Sequence, residues 1–269
     1  MPDQELYLDL LKHCLTGSLY PESSNQEVHA DRNLPVAKRS LFRFLNKRGY
    51  KIFKTVPFDA KARELGTDWP SIGYSMAGLK RLDNLQFCVE SVLNQTVPGD
   101  LLEAGVWRGG SCIFMRAILK LRGVTDRNVW VADSFQGLPV PSHDADRDYD
   151  LSGFTALAVS QADVAAAFQR FGLLDNQVKF LKGWFKDSLP TAPVSQLAVL
   201  RMDGDLYEST MDILSALYHK VSAGGFVIVD DYHALPPCKQ AVHDFRESAG
   251  IKDPIQEIDG TGVFWKKSA

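Results

Sequence analysis

From Leu101 onward the chain alternates short apolar runs with helical stretches, and that alternation limits the fold more than any other feature. The runs at 101–102, 129–132, 177–181, 197–202 and 225–229 are too short for helices and apolar enough to be covered on both faces. Between and after them, residues 112–119, 161–171, 209–219 and 236–248 carry helical content or periodicity, and Ser209 or Thr210 is placed to cap the third. Such an order builds a doubly wound parallel sheet, because each crossover helix must lie against one face of it. Two late runs, 255–258 and 262–265, are joined by Asp259-Gly260-Thr261 with no room for a helix. They predict an antiparallel C-terminal hairpin, which brings the mainly parallel α/β sheet to seven strands.

Residues 1–98 follow another pattern. Residues 7–14 read as a helix, 20–33 as a polar loop, and 79–93 as an amphipathic helix that enters the first strand through Val97-Pro98-Gly99-Asp100. Residues 37–50 interleave Lys38, Arg39, Arg43, Lys47 and Arg48 with apolar residues, the pattern of a solvated helix face, with a membrane or nucleic-acid surface as the alternative. Residues 1–98 are therefore expected to form an N-terminal helical cap, and 99–269 the ligand-binding domain. A net charge of −3 over 269 residues weighs against a nucleic-acid partner, whose phosphates demand a basic face. There is no charged-then-apolar leader, and no apolar run approaches the roughly 20 residues a bilayer crossing requires. A cytoplasmic protein without a membrane partner is expected, with a homo-oligomer compatible. Cys14, Cys88, Cys112 and Cys238 lack metal-ligand spacing and read as free thiols.

The first strand ends in Glu103-Ala104-Gly105-Val106-Trp107-Arg108-Gly109-Gly110-Ser111. Its glycines allow the backbone to approach a ligand closely, but the spacing is not the Gly-x-Gly-x-x-Gly of dinucleotide binders. The acidic residue at its start would repel a pyrophosphate and could hold an ammonium, so S-adenosylmethionine fits the charge pattern better than NAD. Ligands of open α/β sheets bind beyond the carboxyl ends of the strands. There Asp133 ends the second strand, placed to accept from ribose hydroxyls. Asp203 ends the fourth and Asp230-Asp231 the fifth. Strands one and four are expected to be neighbours, with five beside four, so these last three carboxylates should converge. Clustered carboxylates repel one another unless a cation or proton intervenes, and an all-oxygen set favours Mg²⁺. Capping of the following helices is the alternative for Asp203 and Asp230.

Several blocks, read in order, resemble the macrocin-type sugar O-methyltransferases of antibiotic biosynthesis. They are Ser75-Met76-Ala77-Gly78-Leu79-Lys80-Arg81-Leu82-Asp83-Asn84-Leu85, the glycine turn, Ala132-Asp133-Ser134-Phe135-Gln136-Gly137-Leu138-Pro139, Gly183-Trp184-Phe185-Lys186-Asp187-Ser188-Leu189-Pro190, Arg201-Met202-Asp203-Gly204-Asp205-Leu206-Tyr207-Glu208-Ser209-Thr210 and Gly224–Tyr232. The resemblance covers residues 72–250. It implies the Rossmann-like sheet of class I methyltransferases, S-adenosylmethionine as donor, a divalent metal, and a small-molecule acceptor bearing a deoxysugar hydroxyl. On these motifs the donor site comprises Met76, Glu103, Gly105, Arg108, Gly109, Ser111, Asp133, Ser134, Phe135, Gly183, Trp184 and Asp203. The metal site comprises Asp203, Asp230 and Asp231. Asp203 or Asp205 would accept the hydroxyl proton, with His233 as the alternative base. Residues 141–152, with His143 and four aspartates, read either as a substrate lid or as a solvated loop. A phenolic or enolic acceptor, an NAD-dependent oxidoreductase and a non-catalytic relative are the competing functions.

Overall fold

The computed structural model of the chain describes residues 2–20, 23–27 and 35–268. Ahead of the main sheet come α1 (Pro2–Thr16), β1 (Ser24–Glu27), α2 (Val36–Lys47), β2 (Phe53–Val56), α3 (Ala60–Leu65) and α4 (Gly78–Asn94). The sheet and its covering helices follow as β3 (Asp100–Ala104), α5 (Gly110–Leu121), β4 (Val129–Asp133), α6 (Gln161–Arg170), β5 (Val178–Lys182), α7 (Phe185–Ser188) and β6 (Leu197–Met202). The chain then forms α8 (Tyr207–Leu217), β7 (Val221–Val229), α9 (Pro236–Ser248), β8 (Gln256–Glu257) and β9 (Val263–Lys266).

Seven strands lie in the order β5-β4-β3-β6-β7-β9-β8. They are parallel from β5 to β7, whereas β9 is antiparallel to both β7 and β8, as the missing crossover helix requires. The chain steps outward from β3 to β5 and then returns to the other side of β3 as β6. That reversal opens a crevice at the carboxyl ends of β3 and β6. Along β4 the two-residue period sends Val129 and Val131 into the apolar layer with α5, and Trp130 and Ala132 into the opposite layer. All six residues of β6 are buried, including Arg201.

Leu8, Leu11 and Leu15 of α1 share one apolar cluster with Leu82 and Leu85 of α4 and Ile113 and Ile118 of α5. These N-terminal helices thus complete the cover of the sheet. The basic stretch is α2, whose Lys38, Arg43 and Lys47 are exposed, as is Arg48 just beyond it. The polar loop expected over 20–33 is corrected in part: Ser24–Glu27 pairs antiparallel with Phe53–Val56, and backbone pairing imposes an extended form that polar composition hides. Residues 21–22 and 28–34 lie outside the described residues. Among the described residues no helix is long and apolar enough to cross a membrane.

Candidate active site

Gly105 closes β3 with φ +87°, and a Cβ there would stand 1.8 Å from the Asp203 carbonyl oxygen. Only glycine lets β3 turn this tightly against the end of β6, where the Asp203 N–H donates to the Ala104 carbonyl at 2.8 Å. Gly105→Ala is therefore expected to destabilise the fold by well over ~1 kcal/mol, the ordinary scale of glycine substitutions at compatible sites. Thermal unfolding indistinguishable from the parent would contradict this packing. The same turn holds Asp133. Val106 N–H donates to its Oδ2 at 2.8 Å and Phe135 N–H to its Oδ1 at 2.7 Å. Burial still pushes this carboxyl above the usual carboxylate range, although both N–H groups favour the charged form.

A cavity of about 240 Å³ opens at these strand ends. Of the expected residues, Met76, Gly105, Asp133, Ser134, Gly183, Trp184, Asp203 and Asp205 line it, joined by Trp107, Leu138, Pro139, Val140, Ser142, Leu157, Lys186, Glu208, Ser209 and Asp212. Five expected donor-site residues stand outside that lining. Arg108 lies over the Trp107 ring, 4.1 Å from its centroid, and donates to the Gly73 carbonyl at 2.7 Å. Gly109 is the left-handed cap of α5, Ser111 is buried within that helix, and Phe135 is buried 6.1 Å from the Phe180 ring.

Glu103 is the fifth, and the expectation that it meets an ammonium is corrected. Its side chain is 2 % exposed, paired with Arg201 on the neighbouring strand and accepting from the Cys112 thiol at 2.8 Å. Burial outweighs the Arg201 charge and pushes the Glu103 carboxyl up to about 7. Arg201 also donates to Asp203 at 3.0 Å and pairs with Asp230. The second oxygen of Asp230 accepts from Arg81, which in turn holds Asp259 of the hairpin turn at 3.0 Å. The grouping of Asp230 with the metal ligands is therefore corrected as well: each of its oxygens faces a guanidinium. Consecutive side chains leaving a strand point to opposite sides, so Asp230 and Asp231 part company.

The three carboxylates that do meet are Asp203, Asp205 and Asp231, with one oxygen of each within 4.8 Å of the others. Asp205 reaches the group through a left-handed residue, φ 61°, an uncommon conformation for an aspartate. Oδ2 of Asp231 is buried without a hydrogen-bond partner in the protein. Burial, followed by neighbouring carboxylates, pushes Asp205 and Asp231 far above the usual range, and burial raises Asp203 too. An orphaned buried oxygen within an all-carboxylate group fits a hard divalent cation. Neither strand-end aspartate caps a helix: α8 and α9 have Leu206 and Leu235 at their N-caps. His233, the alternative base, is exposed, pairs with Glu257 at 2.8 Å and does not line the cavity, unlike Asp203 and Asp205.

The expected capping of a helix by Ser209 or Thr210 is also corrected, because α8 already starts at Tyr207. Its first N–H groups are taken by Asp146, far back in the chain: Tyr207 N donates at 2.7 Å and Glu208 N at 3.0 Å.

Residues 4–267 match the model of the family described as macrocin-O-methyltransferase (TylF). The chain belongs to this family. It is similar to an 8-demethyl-8-(2,3-dimethoxy-alpha-L-rhamnosyl)-tetracenomycin-C 4'-O-methyltransferase of Streptomyces olivaceus, with 52% identity covering 99% of this chain and 94% of the relative. A mycinamicin III 3''-O-methyltransferase of Micromonospora griseorubida is 48% identical, covering 98% and 97%. The solved O-methyltransferase NovP superposes with a TM-score of 0.86 at 46% identity, covering 99% of this chain and 100% of that one. This macrocin-family chain is thus an O-methyltransferase on a class I methyltransferase sheet, and the family implies S-adenosylmethionine as donor.

Proposed function

We propose that this enzyme methylates a sugar hydroxyl of a glycosylated natural product, with Mg²⁺ held by Asp203, Asp205 and Asp231. The observation that carries this reading is the meeting of those carboxylates, one with an orphaned buried oxygen, where the glycine turn packs on Asp203. The tetracenomycin relative is named for a substrate that bears a rhamnosyl group, and that supports a sugar as the acceptor here.

A sugar hydroxyl is a poor nucleophile because it holds its proton tightly. When bound, the cation would polarise the acceptor oxygen and lower its pKa. Asp203 or Asp205 takes the proton, since both carboxylates line the cavity where the acceptor hydroxyl would sit. Arg201 holds one oxygen of Asp203 and so fixes the direction from which the other can act. Asp133 receives the ribose hydroxyls on the lone pairs its two backbone donors leave free, while Trp184 and Ser134 flank the nucleoside. The remaining task is alignment of oxygen, methyl carbon and sulfur, which a preformed cavity supplies.

The acceptor class is tested by offering a glycoside and its phenolic aglycone with the same donor. Methylation of the glycoside on its sugar is expected, and transfer to the aglycone alone would overturn the sugar assignment. For the donor site, Asp133→Ala removes charge-assisted hydrogen bonds worth roughly 1.5–3 kcal/mol each. Calorimetry should show S-adenosylhomocysteine bound at least about tenfold more weakly. Unchanged affinity would remove Asp133 from the donor site.

A further inference from the structure

We propose that Asp146 is a positioning residue for Asp205, and that the same carboxylate fastens residues 139–160 over the cavity. This rests on the reading of Asp205 as a metal ligand. α8 begins two residues beyond Asp205, and Leu206 at its N-cap offers no side-chain acceptor. The first N–H groups of a helix need acceptors, and the positive end of the helix favours an anion. Asp146 supplies both, with one oxygen on Tyr207 N and the other on Glu208 N, and is itself only 1 % exposed.

Left-handed backbone is uncommon outside glycine, and at Asp205 the neighbouring bonds select it. Here the backbone after Asp205 is fixed by the Leu206 N–H to Gly204 carbonyl bond and then by the two bonds to Asp146. Around Asp146, the segment's Pro139, Val140, Ser142 and Leu157 line the cavity. The segment is fastened at three further points. Ser142 Oγ donates to Glu208 at 2.7 Å, the His143 ring stacks on Tyr207 at 4.2 Å, and Trp107 Nε1 donates to the Ala156 carbonyl at 2.9 Å. The cover of the cavity and the strained turn at Asp205 therefore share one anchor. If the anchor is loosened, the carboxylate group loosens with it.

The test is Mg²⁺ binding by calorimetry without donor or acceptor, in the parent, Asp146→Asn and Asp146→Ser. The amide of Asn keeps one acceptor and turns its NH₂ toward the other N–H, so at least tenfold weaker Mg²⁺ binding is expected. The serine hydroxyl caps one N–H, and an intermediate affinity is expected even if the Asn variant does not fold. Acceptor KM should rise more than kcat falls. Folded variants that bind Mg²⁺ as the parent does would overturn the proposal while leaving the metal reading intact; a parent that binds no Mg²⁺ would overturn both. A second readout is coupling. Asp146→Asn should weaken Mg²⁺ binding no further in an Asp205→Gly background, and additive losses would show that Asp146 does not act through Asp205.

Discussion

Asp231→Asn is expected to lower kcat/KM by roughly 10²–10³-fold, and chelation of the parent to abolish transfer until Mg²⁺ is restored. A cation at the acceptor oxygen supplies several kcal/mol of charge stabilisation, and each ~1.4 kcal/mol is a factor of ten in rate. Asn keeps the shape of the side chain but removes the charge from a group whose Oδ2 has no other partner. Donor binding should be nearly untouched, because Asp133 on β4 is held by its own backbone bonds. Full activity in chelator, or a fully active Asp231→Asn, would return these carboxylates to a structural role.

The same cluster gives the metal-free protein a particular pH dependence. Asp203, Asp205 and Asp231 all have folded-state pKa values raised by burial above the ordinary ~3.9. The folded state then keeps protons that the unfolded chain has already released. Their contribution to stability is fully present below the unfolded pKa and is lost as pH rises through the folded ones. Thermal midpoints in chelator should therefore fall from acid toward neutral pH more steeply than with Mg²⁺, which replaces those protons. Asp231→Asn in chelator should show a flatter profile and be at least as stable as the chelated parent at neutral pH. Superimposable profiles with and without Mg²⁺ would contradict it.

The sheet was legible because its strands are apolar runs bounded by acidic residues, and Asp133 and Asp203 stand where strand ends place them. Glu103 was misread because it opens a glycine turn in sequence. In space it lies beside Arg201 in the parallel register of β3 and β6, a pairing that appears only once strand order is known. The visible signal was Arg201 itself, a charge inside the otherwise apolar Leu197–Met202. Asp230 and Asp231 look equivalent as neighbours, yet successive side chains diverge, so Asp230 meets two arginines and Asp231 meets the carboxylate group. Asp146 stood out only as one of four aspartates in the 141–152 loop, with nothing to single it out. It caps a helix 61 residues downstream, and no local pattern reports a bond of that span.

Arg201→Met should destabilise the fold by on the order of 3–5 kcal/mol, the range found when one partner of a buried ion pair is removed. Arg201 is 2 % exposed and faces Glu103, Asp203 and Asp230, so its loss leaves acidic groups in the core with only Arg81 to offset them. For a chain of this length each kcal/mol moves the thermal midpoint by about 2–4 °C, so a fall on the order of 10 °C is expected. The deficit should depend on pH in a definite direction. Glu103 already sits at about 7 with the guanidinium present, and losing it raises that value further. A carboxyl with a raised folded pKa stabilises below its unfolded pKa and loses that contribution as pH rises, so the gap between variant and parent should widen above pH ~7. Adding Glu103→Gln should recover part of the loss at alkaline pH, because one of the stranded carboxylates is then neutral. A single variant within about 1 kcal/mol of the parent at every pH would show that the network is not what joins β3, β6 and the end of β7.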